Sequence, residues 1–284
     1  MWATTALLAV ANVWVWMLVW SGPGRLVISV LDVGQGDAIV VESPNGHVLV
    51  VDTGPIANQD DAGRRVVLPF LRSRGIGAVD VMVITHPHDD HDGGAASLLE
   101  RIGVGRLLVP ETASEEPVFQ RVMKLAREKG VSITVVRRGM ALNLGGGLVA
   151  DVLNPSDGTV LSPNNESVGL RLRYGATAMV LAGDAEADAE SEMAATCDLR
   201  ADVMKLSHHG SRTSTTPRML EAVRPRAAVV SVGKRNTFGH PSAEVLERLE
   251  RARLPLFRTD RDGAVIIESD GTRIGIRRTK RVGE

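Results

Sequence analysis

Short apolar runs alternate along this chain with stretches whose apolar side chains return every three or four positions, the periods of strand and helix. Residues 26–33, 37–41 and 48–52 read as successive strands, with Gly34, Gly36 and Asn45-Gly46 at the turns. An amphipathic helix over 66–74 leads to a buried strand at 79–84. Residues 94–101 and 117–129 read as helices, the second opening after Glu115 and Glu116 and closing at Gly130. Strands follow at 133–136, 148–153, 168–173 and 176–181. The alternation then repeats: strand 203–206, helix 217–223, strand 227–230, helix 242–251, and strands 265–267 and 274–276. Residues 156–165, rich in Pro, Ser and Asn, read as a loop beside the site. Two runs of hairpins mixed with helices predict two sheets sandwiched by helices, an α/β (α+β) domain over residues 25–284.

The first 24 residues break this alternation. No charged side chain occurs from Met1 to Gly24, and residues 2–20 are apolar except for Thr4, Thr5 and Asn12. Nineteen residues of helix reach about 28 Å, close to the hydrocarbon thickness of a bilayer. Trp2 stands at one end and Trp14, Trp16 and Trp20 towards the other, as at membrane interfaces. No Lys or Arg precedes the apolar stretch, and Ser21-Gly22-Pro23-Gly24 is a turn, which argues against a cleaved secretory signal. One transmembrane segment is therefore expected over residues 1–24. Arg25 alone does not fix its orientation.

At 284 residues the chain suits one large α/β domain or two small ones. A net charge of −1 leaves no global field to draw in nucleic acid. The one basic concentration, Arg273, Arg277, Arg278, Lys280 and Arg281, reads as a solvated face. A single cysteine, Cys197, excludes an intrachain disulfide.

The chemistry concentrates after the strand at 79–84. His86-Pro87-His88-Asp89-Asp90-His91 packs three of the seven histidines, with carboxylates, into six residues. A buried strand ending in imidazoles and carboxylates delivers several ligands to one point. Zn²⁺, Mn²⁺ and Fe²⁺ accept such donors, and the lack of thiolate argues against a closed structural zinc site.

The His-x-His-x-Asp-His motif resembles the metallo-β-lactamase superfamily, a four-layer αβ/βα sandwich with metals along one edge. Leu49–Gly54, Val180-Leu181-Ala182-Gly183-Asp184 and Lys205-Leu206-Ser207-His208-His209-Gly210-Ser211 resemble its other motifs, in order. Leu31-Asp32-Val33-Gly34-Gln35-Gly36-Asp37, the His208-His209-Gly210-Ser211 element and Asn236-Thr237-Phe238-Gly239-His240-Pro241 narrow the resemblance. Together they resemble the carboxy-terminal domain of ComEC-type bacterial DNA-uptake channels, from about residue 26 to 276. One departure stands out: the superfamily's further histidine, expected between His91 and Asp184, is missing, with Asn164 or Asn165 about where it would fall.

The resemblance implies two divalent metal ions, Mn²⁺ or Zn²⁺, and a metal-activated hydroxide. His86 and His88 would hold one ion, and Asp90 and His91 the other. Asp184 would bridge them, and His208 would complete the set. His209 would face the substrate phosphate, although either of these two histidines could point at the metal. Asp90, Asp184, His209 and His240 are thus the candidate catalytic residues, His240 by contact with the scissile phosphate or leaving group. Asp52, Asp37 and Asn165 would support the ligands from behind. Lys205 and Ser211 would help bind phosphate. The missing imidazole favours a harder, oxygen-preferring ion such as Mn²⁺ or leaves one position weak.

The resemblance points to a deoxyribonuclease acting on single-stranded DNA during uptake, at the membrane on the extracytoplasmic side, with the channel and competence machinery as partners. Two alternatives stay open: a phosphodiesterase for small or cell-wall phosphoesters, and a non-catalytic domain that guides DNA. Outside the first 24 residues the aromatics are only Phe70, Phe119, Tyr174, Phe238 and Phe257, so a base-stacking platform is expected to be thin.

Overall fold

The structure, a computed structural model, describes residues 24–57, 60–112, 114–156 and 162–280. The expected transmembrane segment over residues 1–24 lies outside the described residues, apart from Gly24. Among the described residues no helix is long and apolar enough to cross a membrane.

The chain opens with the meander β1 (Leu26–Val30), β2 (Ala38–Glu42) and β3 (Val48–Thr53), followed by the short pair β4 (Ile56–Ala57) and β5 (Asp60–Asp61). The strands β6 (Ala78–Val83), β7 (Gly103–Val109) and β8 (Ser132–Val135) then extend the first sheet. The second sheet contains β9 (Ala141–Asn143), β10 (Leu148–Asn154), β11 (Gly169–Tyr174), β12 (Thr177–Leu181), β13 (Val203–Lys205), β14 (Ala227–Val230) and β15 (Leu256–Arg258). The chain returns to the first sheet with β16 (Val265–Ser269) and β17 (Ile274–Arg278).

The sheets run β17-β16-β1-β2-β3-β6-β7-β8 and β15-β14-β13-β12-β11-β10-β9. Each has an antiparallel half and a parallel half, changing over at β3 in one and β12 in the other. Antiparallel neighbours need only tight turns, whereas parallel neighbours require crossovers, and the helices supply these. Ile28, Val41, Val51 and Val83 of the first sheet pack against Val152, Leu170, Leu181 and Val203 of the second. The outer face of the first sheet buries Val50 and Met82 under Leu68–Ser73, Ala95–Arg101 and Pro117–Glu128. The second is covered by Ala187–Thr196, Pro217–Val223 and Ala243–Arg251. The result is the expected sandwich, with helices outside and two sheets within.

Several elements escaped the sequence reading, β4, β5, β7, β9, helix Ala187–Thr196 and β15 among them. In β7 the glycines Gly103 and Gly105 and exposed Arg106 interrupt the apolar run, so its pattern is not strand-like. Helix Ala187–Thr196 buries Glu190 among Ala189 and Met193, so a carboxylate occupies the face where apolar periodicity would be sought. Strand β15 has three residues at a sheet edge. The helix expected at 66–74 begins with a π-helical turn, Gly63–Val67, before the α-helix Leu68–Ser73.

Candidate metal centre

The parallel halves of both sheets present their carboxyl ends to one cleft. Asp52 is the penultimate residue of β3, the His86–His91 loop follows β6, Asp184 follows β12, and His208-His209 follows β13. In each case the chain leaves the strand before a crossover, where backbone geometry is free to aim side chains. Asp52, His208 and His209 take left-handed φ values of 57°, 48° and 53°. Such conformations cost non-glycine residues about 1–3 kcal/mol each, and they cluster at functional sites.

Four donors converge: Asp90, His91, Asp184 and His209 each offer an atom within 4.8 Å of the others. His91 Nε2 lies 3.2 Å from Asp184 Oδ1 and 3.8 Å from Asp90 Oδ2. His209 Nε2 lies 3.2 Å from Asp90 Oδ2 and 3.7 Å from Asp184 Oδ2. His91 Nε2 and Asp184 Oδ1 are buried without a hydrogen-bond partner. Buried polar atoms left unpaired are costly, and two facing each other at ligand spacing fit a cation between them.

The far side of each imidazole is held. His91 Nδ1–H donates to Asp52 Oδ2 at 2.8 Å, and Thr85 donates to the same carboxylate through its backbone N–H and its hydroxyl. His209 Nδ1–H donates to the Ser231 carbonyl at 3.0 Å. These contacts select the tautomer that leaves Nε2 free for an ion. Asp37, Asp52 and His91 form a second close group. We read it as support for the first, because Asp52 is engaged by Thr85 and His91 while Lys205 Nζ pairs with Asp37 at 2.5 Å.

Charge reinforces the arrangement. Burial lowers the His91 pKa, but Asp184, Asp52 and Asp90 outweigh it and hold the imidazole well above its ordinary value. His209 is likewise raised against burial, by Asp184, Asp37 and Asp90. Burial opposes ionisation of Asp184, yet His91, His209 and His86 keep it well below the usual carboxylate range. Burial, with Asp89 and Asp52 alongside, pushes Asp92 up to about 8, and neither of its oxygens has a partner.

His86 and His88 form the neighbouring part of the cleft. His86 Nε2 and His88 Nδ1 are 3.0 Å apart, roughly the spacing of adjacent ligands about 2.1 Å from one ion. His86 is buried, and its Nδ1 faces the Thr85 and Ser167 hydroxyls at 3.1 and 3.3 Å. Burial, then His91, drives its pKa well below the ordinary value, so it is a neutral, ligand-ready imidazole. Asn165 does not replace the missing histidine, because its Oδ1 accepts the Glu186 N–H at 2.9 Å. Its backbone carbonyl accepts from Asn154 Nδ2, which leaves it bracing the turn around Asp184.

Two expectations are corrected, for Lys205 and Ser211, and of the two orders left open for the histidine pair the structure shows the second. His209, expected at the phosphate, lies within the donor group, whereas His208, expected on the metal, sits at the rim. His208 is 23% exposed, with Nδ1 3.3 Å from Glu186 Oε1 and Nε2 3.7 Å from Asp184 Oδ2. Two consecutive left-handed residues rotate the second histidine inward, a conformation that the sequence does not announce. Lys205 is not available for phosphate: its side chain is 1% exposed and pairs with Asp37, and Nζ donates to the Leu206 carbonyl. Ser211 is also buried, with its hydroxyl against that of Thr213 at 3.0 Å. His240 lies at the rim, its ring centre 5.8 Å from that of His208. The basic carboxy-terminal residues Arg277, Arg278 and Lys280 are paired with Glu268, Asp262 and Asp32, as a solvated face would be.

Several supports went unread in the sequence. Ser167, Ser231 and Glu186 stand in no motif. Glu190 accepts from Ser207 Oγ and from the Thr215 and Thr216 N–H groups, tying down both ends of the His208-His209 segment.

Residues 31–234 match the metallo-beta-lactamase superfamily. The chain is 35% identical to ComE operon protein 3 of Bacillus subtilis over 84% of its own length and 32% of that protein's. It is 30% identical to competence protein ComA of Neisseria gonorrhoeae, over 84% and 31% of the respective lengths. The chain thus spans about a third of the length of these relatives. The fold is shared with the metallo-beta-lactamase fold protein YhfI of Bacillus subtilis, at a TM-score of 0.59 and 11% identity, covering 87% of this chain and all of that one. With its motifs at the edge of this sandwich and relatives among competence proteins, the chain belongs to the metallo-β-lactamase superfamily and resembles the ComEC carboxy-terminal domain.

Proposed function

We propose that this domain is a metal-dependent phosphodiesterase that cleaves single-stranded DNA during uptake. The observation that carries the metal chemistry is the buried four-donor group with its unpartnered His91 and Asp184 atoms. The competence-related relatives point to DNA as substrate. When bound, two divalent ions, Mn²⁺ or Zn²⁺, would lower the pKa of a water and neutralise charge developing on the phosphate.

The chain's own residues divide the remaining work. Asp90, His91, Asp184 and His209 would hold the first ion, and His86 and His88, with Asp184, would hold the second. Asp52 and Ser231 keep the two buried imidazoles aimed. His208 and His240 face the open side, where a phosphate would enter. Burial, then the His209 and His208 charges, lowers the His240 pKa, so its neutral ring can accept a proton or donate an N–H to a phosphate oxygen. The uncharged residues 1–24 would anchor the domain to the membrane, with the catalytic cleft on the extracytoplasmic side beside an uptake channel.

The test is cleavage of labelled single-stranded DNA by the full chain with Mn²⁺, run beside Asp184→Ala. Cleavage by the parent alone supports the reading. With metal demonstrably bound and DNA untouched, hydrolysis of bis-(p-nitrophenyl) phosphate would replace DNA by small phosphodiesters. No hydrolysis of either would leave a DNA-guiding domain.

A further inference from the structure

The loop between Gly233 and Pro241 carries Phe238, whose ring is 68% exposed, more than any other large apolar side chain among the described residues. An aromatic ring left in water forfeits the burial that makes such residues stabilising, and what singles this one out is its place beside the donor group. Phe238 lies in an offset, nearly parallel stack with His240, ring centres 5.8 Å apart and planes 26° from parallel. His240 in turn sits 5.8 Å from the His208 ring, and His208 Nε2 is 3.7 Å from Asp184. The exposed ring therefore stands two rings away from the four-donor group.

The loop is held at both ends and in the middle. Gly233 N–H donates to Gln35 Oε1 at 3.2 Å. Asn236 Nδ2 donates to the Gly233 and His240 carbonyls, and its Oδ1 accepts the His240 N–H. Pro241 packs so closely on Gly210, beside the two histidines, that a Cβ there would meet Pro241 Cβ at 2.8 Å. Three motifs far apart in sequence, around Gln35, His209 and Asn236, thus form one wall. A ring carried on such a wall is ordered before any ligand arrives, which lowers the entropic cost of binding. Lys234 and Arg235, both exposed on the same loop, have no ion-pair partner among the described residues.

We infer that Phe238, stacked on His240, is a subsite for the nucleobase next to the scissile phosphate, with Lys234 and Arg235 taking the flanking backbone phosphates. This rests on the DNA-cleaving reading above. Every base has a flat face, so the subsite would favour bases over none while discriminating little among sequences.

The experiment compares cleavage by the full chain, with Mn²⁺, of a short labelled oligodeoxynucleotide and of the same oligonucleotide made abasic around the cleavage position. The parent is expected to favour the base-bearing strand through a lower KM. Phe238→Ala and Phe238→Leu should shrink that preference by about 5- to 150-fold, and Phe238→Trp should keep it. Lys234→Ala with Arg235→Ala should weaken both substrates alike and flatten the salt dependence. Met140→Ala, an exposed apolar change elsewhere, should leave the preference intact. If Phe238→Ala affects the two strands equally or not at all while the parent still cleaves DNA, the base subsite is overturned and the nuclease reading stands. If the parent cleaves neither strand, the nuclease reading falls and takes the subsite with it.

Discussion

The four-donor group of Asp90, His91, Asp184 and His209 and the pair His86–His88 share one cleft but are built on different electrostatics. In the first, two imidazoles are raised and Asp184 is lowered, each held charged by its neighbours against burial. An ion entering there must displace protons that these imidazoles hold more tightly than free ones. In the second, His86 is buried and neutral, backed only by the Thr85 and Ser167 hydroxyls. The first position has more donors and a carboxylate behind one of them; the second has less of both. Ion affinity follows donor number and outer support, so the two positions should fill in that order.

The largest effect belongs to Asp184, which both positions would share. Asp184→Ala should lower hydrolysis by more than the roughly 100-fold upper range typical of changes behind a ligand, and should empty both positions. Metal analysis after desalting checks this, and retention of a full complement would break the comparison. Behind the four-donor group lies the buried Asp37–Lys205 pair, which among the described residues has no counterpart behind His86 and His88. Lys205→Met strands the Asp37 charge and should destabilise the protein by about 3–5 kcal/mol in chemical denaturation. An unchanged midpoint would mean that Asp37 is already neutralised by something else.

Asp52→Ala removes the acceptor for His91 and should weaken the tighter metal site about 10–100-fold in calorimetric titration. His86→Ala sharpens the contrast from the other side. It should abolish the weaker binding event while changing the affinity of the tighter one by less than about tenfold. Equal loss of both events would show that the positions are not separable.

The smallest effect is on pH dependence without metal. His91 and His209 are raised above 6.5 and Asp92 is raised from 3.8 to about 8. Groups with raised folded values contribute stability that is complete below their unfolded values and lost as pH rises through the folded ones. Chelated protein should therefore lose stability as pH rises, the Asp92 share falling between 3.8 and about 8 and the histidine share beginning above 6.5, and Asp92→Asn should flatten the lower part of that slope. Denaturation curves taken at steps from about pH 5 to about pH 8 read it directly. A rise in stability over that interval would reverse the assigned shifts.

The hydrophobic pattern carried most strands and helices because both sheets bury one face in the shared core and the other under helices. It failed at Ala187–Thr196, where Glu190 occupies a buried position to bind the backbone of the loop after His209. It failed at β7 because half of that strand is exposed. The site was legible wherever several ligand types stood close together in the chain, as in His86–His91. It was not legible at Ser167, Ser231 or Glu186, single polar residues whose partners lie far away in sequence.

By itself, the sequence determined the class of the fold, the place of the histidine loop at a strand end, and the residue types available to an ion. Those depend on local periodicity and on ligands spaced a few residues apart. Only the tertiary structure decided which of His208 and His209 faces the donor group, that Lys205 neutralises Asp37, and that Phe238 stands beside the cleft. These depend on backbone rotation at two left-handed residues and on contacts between segments separated by up to 198 positions, such as Gln35 and Gly233. Periodicity along a chain carries no record of distances across the fold, and at this site those distances set the charge, exposure and aim of each side chain.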